Sequence, residues 1–282
     1  MRQKADNGPL VPQLPWEGHV RYECTGDPAK AVYMLSGLGV TARVWHRAFN
    51  SFRTSGATVV AESLAGHDGC KKKFSRVTRQ QWYRAAESEL LRLYENGGQP
   101  VVLAGFSAGA LLAILLTIRN PKAVRMLLLT GYCPKIENVM KRGFLNTCGF
   151  AHAFVPPLRP LLRLLSFSAE GSTRPDLLTE EYLEQPRFAR FSFASILALM
   201  ELQVLAEAGI LTTSCPVHFF HGRHDRRTGV ATVEATIRSM EQYGQTGVKL
   251  HVFEQSAHCV PLGPEGEAFT KVLCASAAEA WM

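Results

Sequence analysis

The stretch VVLAGFSAGALLAILL, Val101 to Leu116, constrains the fold more than any other part of the chain. A short apolar run of strand length stops at Gly105-Phe106-Ser107-Ala108-Gly109, and an apolar run of helical character continues until Pro121 marks its end. A strand that turns into a helix so abruptly needs small residues at the bend, which accounts for the glycines. It does not account for a serine between them. On such a turn a hydroxyl is lifted clear of the sheet, and the first N–H groups of the helix lie beside it. Ser107 is therefore a candidate nucleophile, and the Ala108 amide a candidate donor to an oxyanion.

The rest of the chain supplies the sheet that such a turn requires. Residues 31–35, 57–61, 101–104, 126–129, 217–220 and 250–253 are short aliphatic runs, as expected of strands covered on both faces. Residues 19–23 alternate instead, which suits an edge strand. Between the runs lie helical patterns; over 81–94 the residues Trp82, Ala86, Leu90, Leu93 and Tyr94 fall near one face. Strand and helix in alternation predict an α/β fold with a mostly parallel sheet and helices on both faces. The alternation lapses from about Pro134 to Glu201, where no core strand is evident. The expected organisation is a core over 1–133, a helical cap inserted over 134–208, and the remainder of the core over 209–282.

A serine hydroxyl is a weak nucleophile until a base takes its proton and an acid orients that base. In this architecture the order along the chain is serine, acid, histidine. VHFFHGRHDRRT places Asp225 just past a strand, and LHVFEQSAHCVPLG places His258 just past the last one. Both positions are carboxyl ends of strands, where open α/β sheets hold their sites. Each residue alone has an ordinary structural explanation; the three together, in order, favour a nucleophilic site. His221 and His224 adjoin the acid rather than follow a later strand, and His67 and His152 are read as structural or pocket-lining. A second oxyanion donor is expected from Leu38, whose flanking glycines in Ser36-Gly37-Leu38-Gly39 let its N–H turn toward Ser107.

Composition narrows the alternatives. With 46% hydrophobic and 20% charged residues, the 282-residue chain can bury a sizeable core. The formal charge of +7 is scattered, and the Lys71-Lys72-Lys73 run reads as a solvated loop, so no nucleic acid is expected as partner. Seven cysteines without a CxxC pair suggest neither a disulfide framework nor zinc, and no histidine has metal-ligand spacing. No metal or organic cofactor is expected. The N-terminus lacks the apolar core of a signal peptide, and the longest apolar run, about 108–117, is short for a bilayer span. The expectation is a soluble protein of a reducing, cytoplasmic compartment.

These motifs together resemble the α/β-hydrolase superfamily over nearly the whole chain. GFSAG looks like its nucleophile elbow, SGLG stands where many members carry His-Gly-x-Gly, and SLAGHDGC where they carry a D-x-P-G-H-G-x-S-like turn. HGRHD resembles the acid loop and SAHCVP the histidine loop. Within the superfamily the segment from DLLTEEYLEQPRF to HGRHD looks most like the monoacylglycerol lipase and lysophospholipase group, which shares ancestry with serine aminopeptidases. Ser36 replaces the usual histidine before the oxyanion glycine, and Ser63 and Ala65 replace the customary Asp and Pro of the next turn. A serine nucleophile also disfavours the aspartate-dependent dehalogenase and epoxide hydrolase branches.

The resemblance implies ester hydrolysis through an acyl-enzyme, with thioester or amide cleavage, or ligand binding without catalysis, as alternatives. The insertion guides the choice of substrate. Its apolar residues, including Phe144, Phe150, Phe154 and Leu158, together with Phe106 beside the serine, are expected to receive a lipophilic group such as that of a monoacylglycerol or lysophospholipid. Arg159 and Arg163 would share a helix face and could touch an anionic membrane surface, although an ordinary solvated face is the preferred reading.

Overall fold

Residue alternation along the strands divides the core into two layers, one on each side of a single sheet. The computed structural model describes residues 20–136, 139–162, 165–168, 177 and 179–282. In chain order the elements are β1 (Arg21–Cys24), β2 (Asp27–Leu35), α1 (His46–Thr54), β3 (Ala57–Glu62), α2 (Lys71–Phe74), α3 (Arg79–Gly97), β4 (Val101–Phe106), α4 (Ala108–Arg119) and β5 (Val124–Thr130). Then follow α5 (Val139–Phe154), α6 (Arg159–Leu162), β6 (Ser166–Ser168), α7 (Glu180–Glu184), β7 (Arg190–Ser192) and α8 (Phe193–Gly209). The chain closes with β8 (Val217–Gly222), α9 (Val230–Gln242), β9 (Val248–Phe253) and α10 (Gly266–Glu279). Tyr33, Leu35, Leu103, Leu127, Leu129 and Phe219 face α3, α4 and α8, while Val32, Met34, Val102, Ala104, Leu128 and Phe220 face α1 and α10. Period-two alternation of wholly apolar residues is what a sheet buried on both faces requires.

The sheet order is β1-β3-β2-β4-β5-β8-β9, all parallel except β1, which pairs antiparallel with β3 at the edge. The chain winds outward from β2 to β3 and then crosses back to β4. The carboxyl ends of β2 and β4 are therefore neighbours at the point where the winding reverses, the place where such sheets form a crevice. Helix α3 begins with a capping box between Thr78 and Gln81 and ends at Gly98 in the left-handed region. Its buried face is Trp82, Ala86, Leu90 and Leu93, with Tyr94 packed beside them. The triple lysine forms the exposed turn of α2 rather than a loop, held by Lys73 on Asp68 at 2.6 Å and ended by buried Phe74.

Between β5 and β8 the chain leaves the sheet. The strands β6 and β7 pair only with each other. Leu145, Phe188, Phe191 and Ile196 gather with Phe74 of the core into a separate apolar cluster, against which Leu38 packs. The N–H of Phe188 donates to the Gly39 carbonyl at 2.8 Å, tying this segment to the loop after β2. Helix α8 packs Ala198, Leu202 and Ala206 on the buried helix α4. With the turn after it, α8 makes a 20-residue stretch of mean hydropathy 1.6, longer than the 108–117 run and long enough to cross a bilayer by length and composition. Its contact with α4 makes it a core helix; Arg163, paired with Arg159 in the sequence reading, lies outside the described residues.

Candidate active site

Ser107 has φ 53° and ψ −115°, and among the described residues it alone has a positive φ without being glycine. That conformation costs about 1–3 kcal/mol and persists only where the surroundings enforce it. They do. A Cβ on Gly105 would lie 2.4 Å from the Gly109 carbonyl, and one on Gly109 would lie 2.4 Å from the Ser36 carbonyl. Both glycines of the motif are thus required by backbone contacts. The Ser107 N–H donates to the Thr130 carbonyl at the end of β5, 2.9 Å away, and the Ser107 carbonyl accepts from Ala110 N–H.

His258 stands over this turn. Its Nε2 is 2.9 Å from Ser107 Oγ and its Nδ1 is 2.7 Å from Asp225 Oδ2. A carboxylate accepts, so Nδ1 carries the ring proton and Nε2 is free to accept from the serine hydroxyl. A Cβ on Gly131 would come within 3.3 Å of the ring, and Phe106 packs beside it at 5.3 Å between centroids. The loop bearing His258 also crosses the end of β8, where a Cβ on Gly222 would lie 2.2 Å from the Ala257 carbonyl. Burial lowers the His258 pKa, opposed by the carboxylate beside it.

Asp225 is buried and held from several sides. Oδ1 accepts from the N–H groups of Arg227 (2.7 Å) and Thr228 (3.3 Å), while Oδ2 accepts from His258. Burial disfavours its charge, but His258, His221 and the Arg227 amide outweigh that, and the carboxyl stays below its usual range. His221, set aside in the sequence reading, donates Nε2–H to the Thr228 carbonyl at 2.7 Å and lies 3.3 Å from Asp225 Oδ2. Its clue in the sequence is its place four residues before the acid at the end of a strand.

The loop after β2 closes against the turn. A Cβ on Gly37 would lie 3.0 Å from the Phe106 ring and 3.2 Å from Ser107 Cβ, and Gly39 has φ 80°. Ser36 is buried and donates its hydroxyl to the Val40 carbonyl at 3.3 Å, so the residue in place of the usual histidine braces the loop. Ser63 accepts from the Ala42 N–H at 2.9 Å. Leu38 and Ser107 line one cleft, and Ala108 begins α4, where first-turn N–H groups have no partner within the helix.

The cleft measures about 40 Å3, room for roughly one water. Phe106 lines it, as do Tyr182 and Gln185 from the inserted segment, with Arg227 and Cys259. Phe144, Phe150, Phe154 and Leu158 do not; they are 40–70% exposed on α5 and the turn after it. Apolar composition alone does not tell an inward face from an outward one. Tyr182 and Gln185 were missed because one aromatic and one amide in an acidic stretch carry no periodic signal. Among the described residues no group of three metal-ligating side chains is present.

A sheet of this order, with a serine on the strand-to-helix turn after β4, an acid after β8 and a histidine after β9, defines a class of protein. The chain belongs to the alpha/beta hydrolase family, whose model matches residues 32–270. No curated protein sequence matches it significantly. Among solved structures it is similar to a metagenome-derived lipolytic enzyme, with a TM-score of 0.77 and 17% identity over 94% of this chain and 100% of that one. A monoacylglycerol lipase from Paleococcus ferrophilus is similar at 0.71, 18% identical over 92% and 98%. A soluble variant of monoglyceride lipase from Saccharomyces cerevisiae is similar at 0.70, 13% identical over 98% and 96%.

Proposed function

We propose that the protein is a serine hydrolase that cleaves a lipophilic monoester through an acyl-enzyme. The observation that carries this reading is the continuous relay from Asp225 through His258 to Ser107, at 2.7 and 2.9 Å, on a serine held at φ 53°. His258 Nε2 takes the hydroxyl proton as Oγ attacks the ester carbon, and Asp225 stabilises the imidazolium. The N–H groups of Leu38 and Ala108 receive the charge that develops on the carbonyl oxygen. His258 then passes its proton to the departing alcohol, and a water attacks the acyl-enzyme by the same route in reverse.

The lipase names of structural neighbours support a lipophilic substrate, such as a monoacylglycerol or lysophospholipid. The inserted residues ahead of α8 act as a cover, since Tyr182 and Gln185 reach the cleft from them, while α8 itself packs in the core. The exposed row of Phe144, Phe150, Phe154 and Leu158 meets the lipid surface from which such an ester is drawn, with Phe150 and Phe154 only 4.7 Å apart.

The test is covalent labelling by a fluorophosphonate together with hydrolysis of p-nitrophenyl esters of graded chain length. Ser107→Ala should abolish labelling and reduce turnover by about 10⁴–10⁶-fold. An unlabelled wild-type protein would point to a fold that binds without catalysing. Preference for thioesters over esters of equal chain length would move the reading to thioester cleavage.

A further inference from the structure

Gln185 follows α7 where the inserted segment returns to the core, and only 1% of it is exposed. Its Nε2 donates to Thr41 Oγ1 at 2.9 Å and to the Thr41 carbonyl at 3.3 Å. The second bond settles which way the amide points, because a backbone carbonyl only accepts; the reversed amide would set oxygen against oxygen. Oε1 therefore faces away from Thr41, and it is buried without a donor. Gln185 also lines the cleft that holds Ser107 and His258. A buried amide carbonyl without a donor is costly and uncommon, so a group that enters the cleft with an O–H or N–H gains by meeting it.

The chemistry of an ester decides which group that is. Both ester oxygens only accept, and the carbonyl oxygen is directed at the Leu38 and Ala108 amides. A hydrocarbon acyl chain has no donor at all. The donor left is a free hydroxyl on the alcohol portion. We propose that Gln185 is a specificity-determining residue whose Oε1 accepts a hydrogen bond from that hydroxyl, so that the preferred substrate is the monoester of a diol or polyol. The inference rests on the hydrolase reading of Ser107. An ester of a simple alkanol would leave Oε1 unpaired, and sites built this way reject the analogue that lacks the hydroxyl. Thr41 acts through Gln185 as a positioning residue.

Butyl laurate and the monolaurate of butanediol form the test pair, since they differ by one hydroxyl. Wild-type kcat/KM should favour the butanediol ester by about three- to tenfold or more. Gln185→Met, similar in size but without the carbonyl, should erase that preference by lowering kcat/KM for the butanediol ester several-fold more than for butyl laurate. Thr41→Val leaves the cleft lining unchanged and should shrink the preference through loss of positioning. No preference in the wild type, or an equal loss on both esters in Gln185→Met with Thr41→Val unchanged, would overturn the proposal. Circular dichroism shows whether each variant folds; if Gln185→Met does not, the wild-type preference and Thr41→Val decide. Calorimetric binding of the two esters to Ser107→Ala, with and without Gln185→Met, reads the same discrimination without turnover. Failure of fluorophosphonate labelling would thus overturn the hydrolase reading, while the binding comparison still decides the role of Gln185.

Discussion

The pKa directions around His258 have a consequence for activity that can be worked out residue by residue. On the proposed mechanism the imidazole must be neutral to take the Ser107 proton, and burial lowers its pKa below the ordinary 6.5. The acid limb of kcat/KM should therefore fall with an apparent pKa under 6.5, read from a pH profile of the free enzyme. Asp225→Asn should keep the fold and lower kcat by about 10⁴-fold, since an amide no longer selects the Nδ1–H tautomer. Ser107, Asp225 and His258 were legible in the sequence because a turn, a strand end and chain order each limited where they could stand. His221 was only hinted at: its place four residues before the acid is in the sequence, but the 3.3 Å approach of its ring to Asp225 Oδ2 depends on how the loop after β8 folds. Gln185 was hidden more deeply, since its partner Thr41 lies 144 residues away in the chain.

Among the elements, the glycines at strand ends govern how closely loops approach. Gly222→Ala would drive a methyl group to 2.2 Å from the Ala257 carbonyl, and a backbone contact cannot turn aside as a side chain can. Overpacking of this kind costs about 1–3 kcal/mol, and here it also pushes the His258 loop outward. Denaturant unfolding should show that loss, and ester turnover should fall much further than stability alone explains. The six predicted aliphatic strands all appear, extended at one or both ends; the first four residues of β2, from Asp27, escaped the reading because they are exposed and lack the apolar pattern of the rest. The edge strand was legible from its alternation, though it runs over Arg21–Cys24 rather than from His19: Val20 stands before it and His19 lies outside the described residues. The inserted segment was harder. Its helix α5 carries apolar residues on an exposed face, so hydrophobicity there did not report burial, and β6 and β7 are only three residues long each.

Taken as a whole, the molecule keeps neutral histidines in its interior on both sides of the sheet. His67 lies among Phe74, Trp82 and Phe188, and His218 is buried near Glu279; burial depresses the pKa of each to about 4. The unfolded chain binds protons at these rings below about 6.5 while the folded one does not. Their contribution is thus fully present above pH 6.5 and is lost as pH falls toward 4, where the folded rings titrate. The thermal midpoint should drop through that window, and His67→Phe should flatten part of the decline. The contrast between the two halves of the site has an evolutionary consequence. Ser107, Asp225 and His258 hang from strands whose geometry the whole sheet enforces, whereas Gln185 and Tyr182 arrive from a segment outside the sheet, tethered around them to loop residues such as Gly39, Thr41 and Leu262. Lineages can therefore rewrite the tethered segment and acquire new diets while inheriting the reaction unchanged.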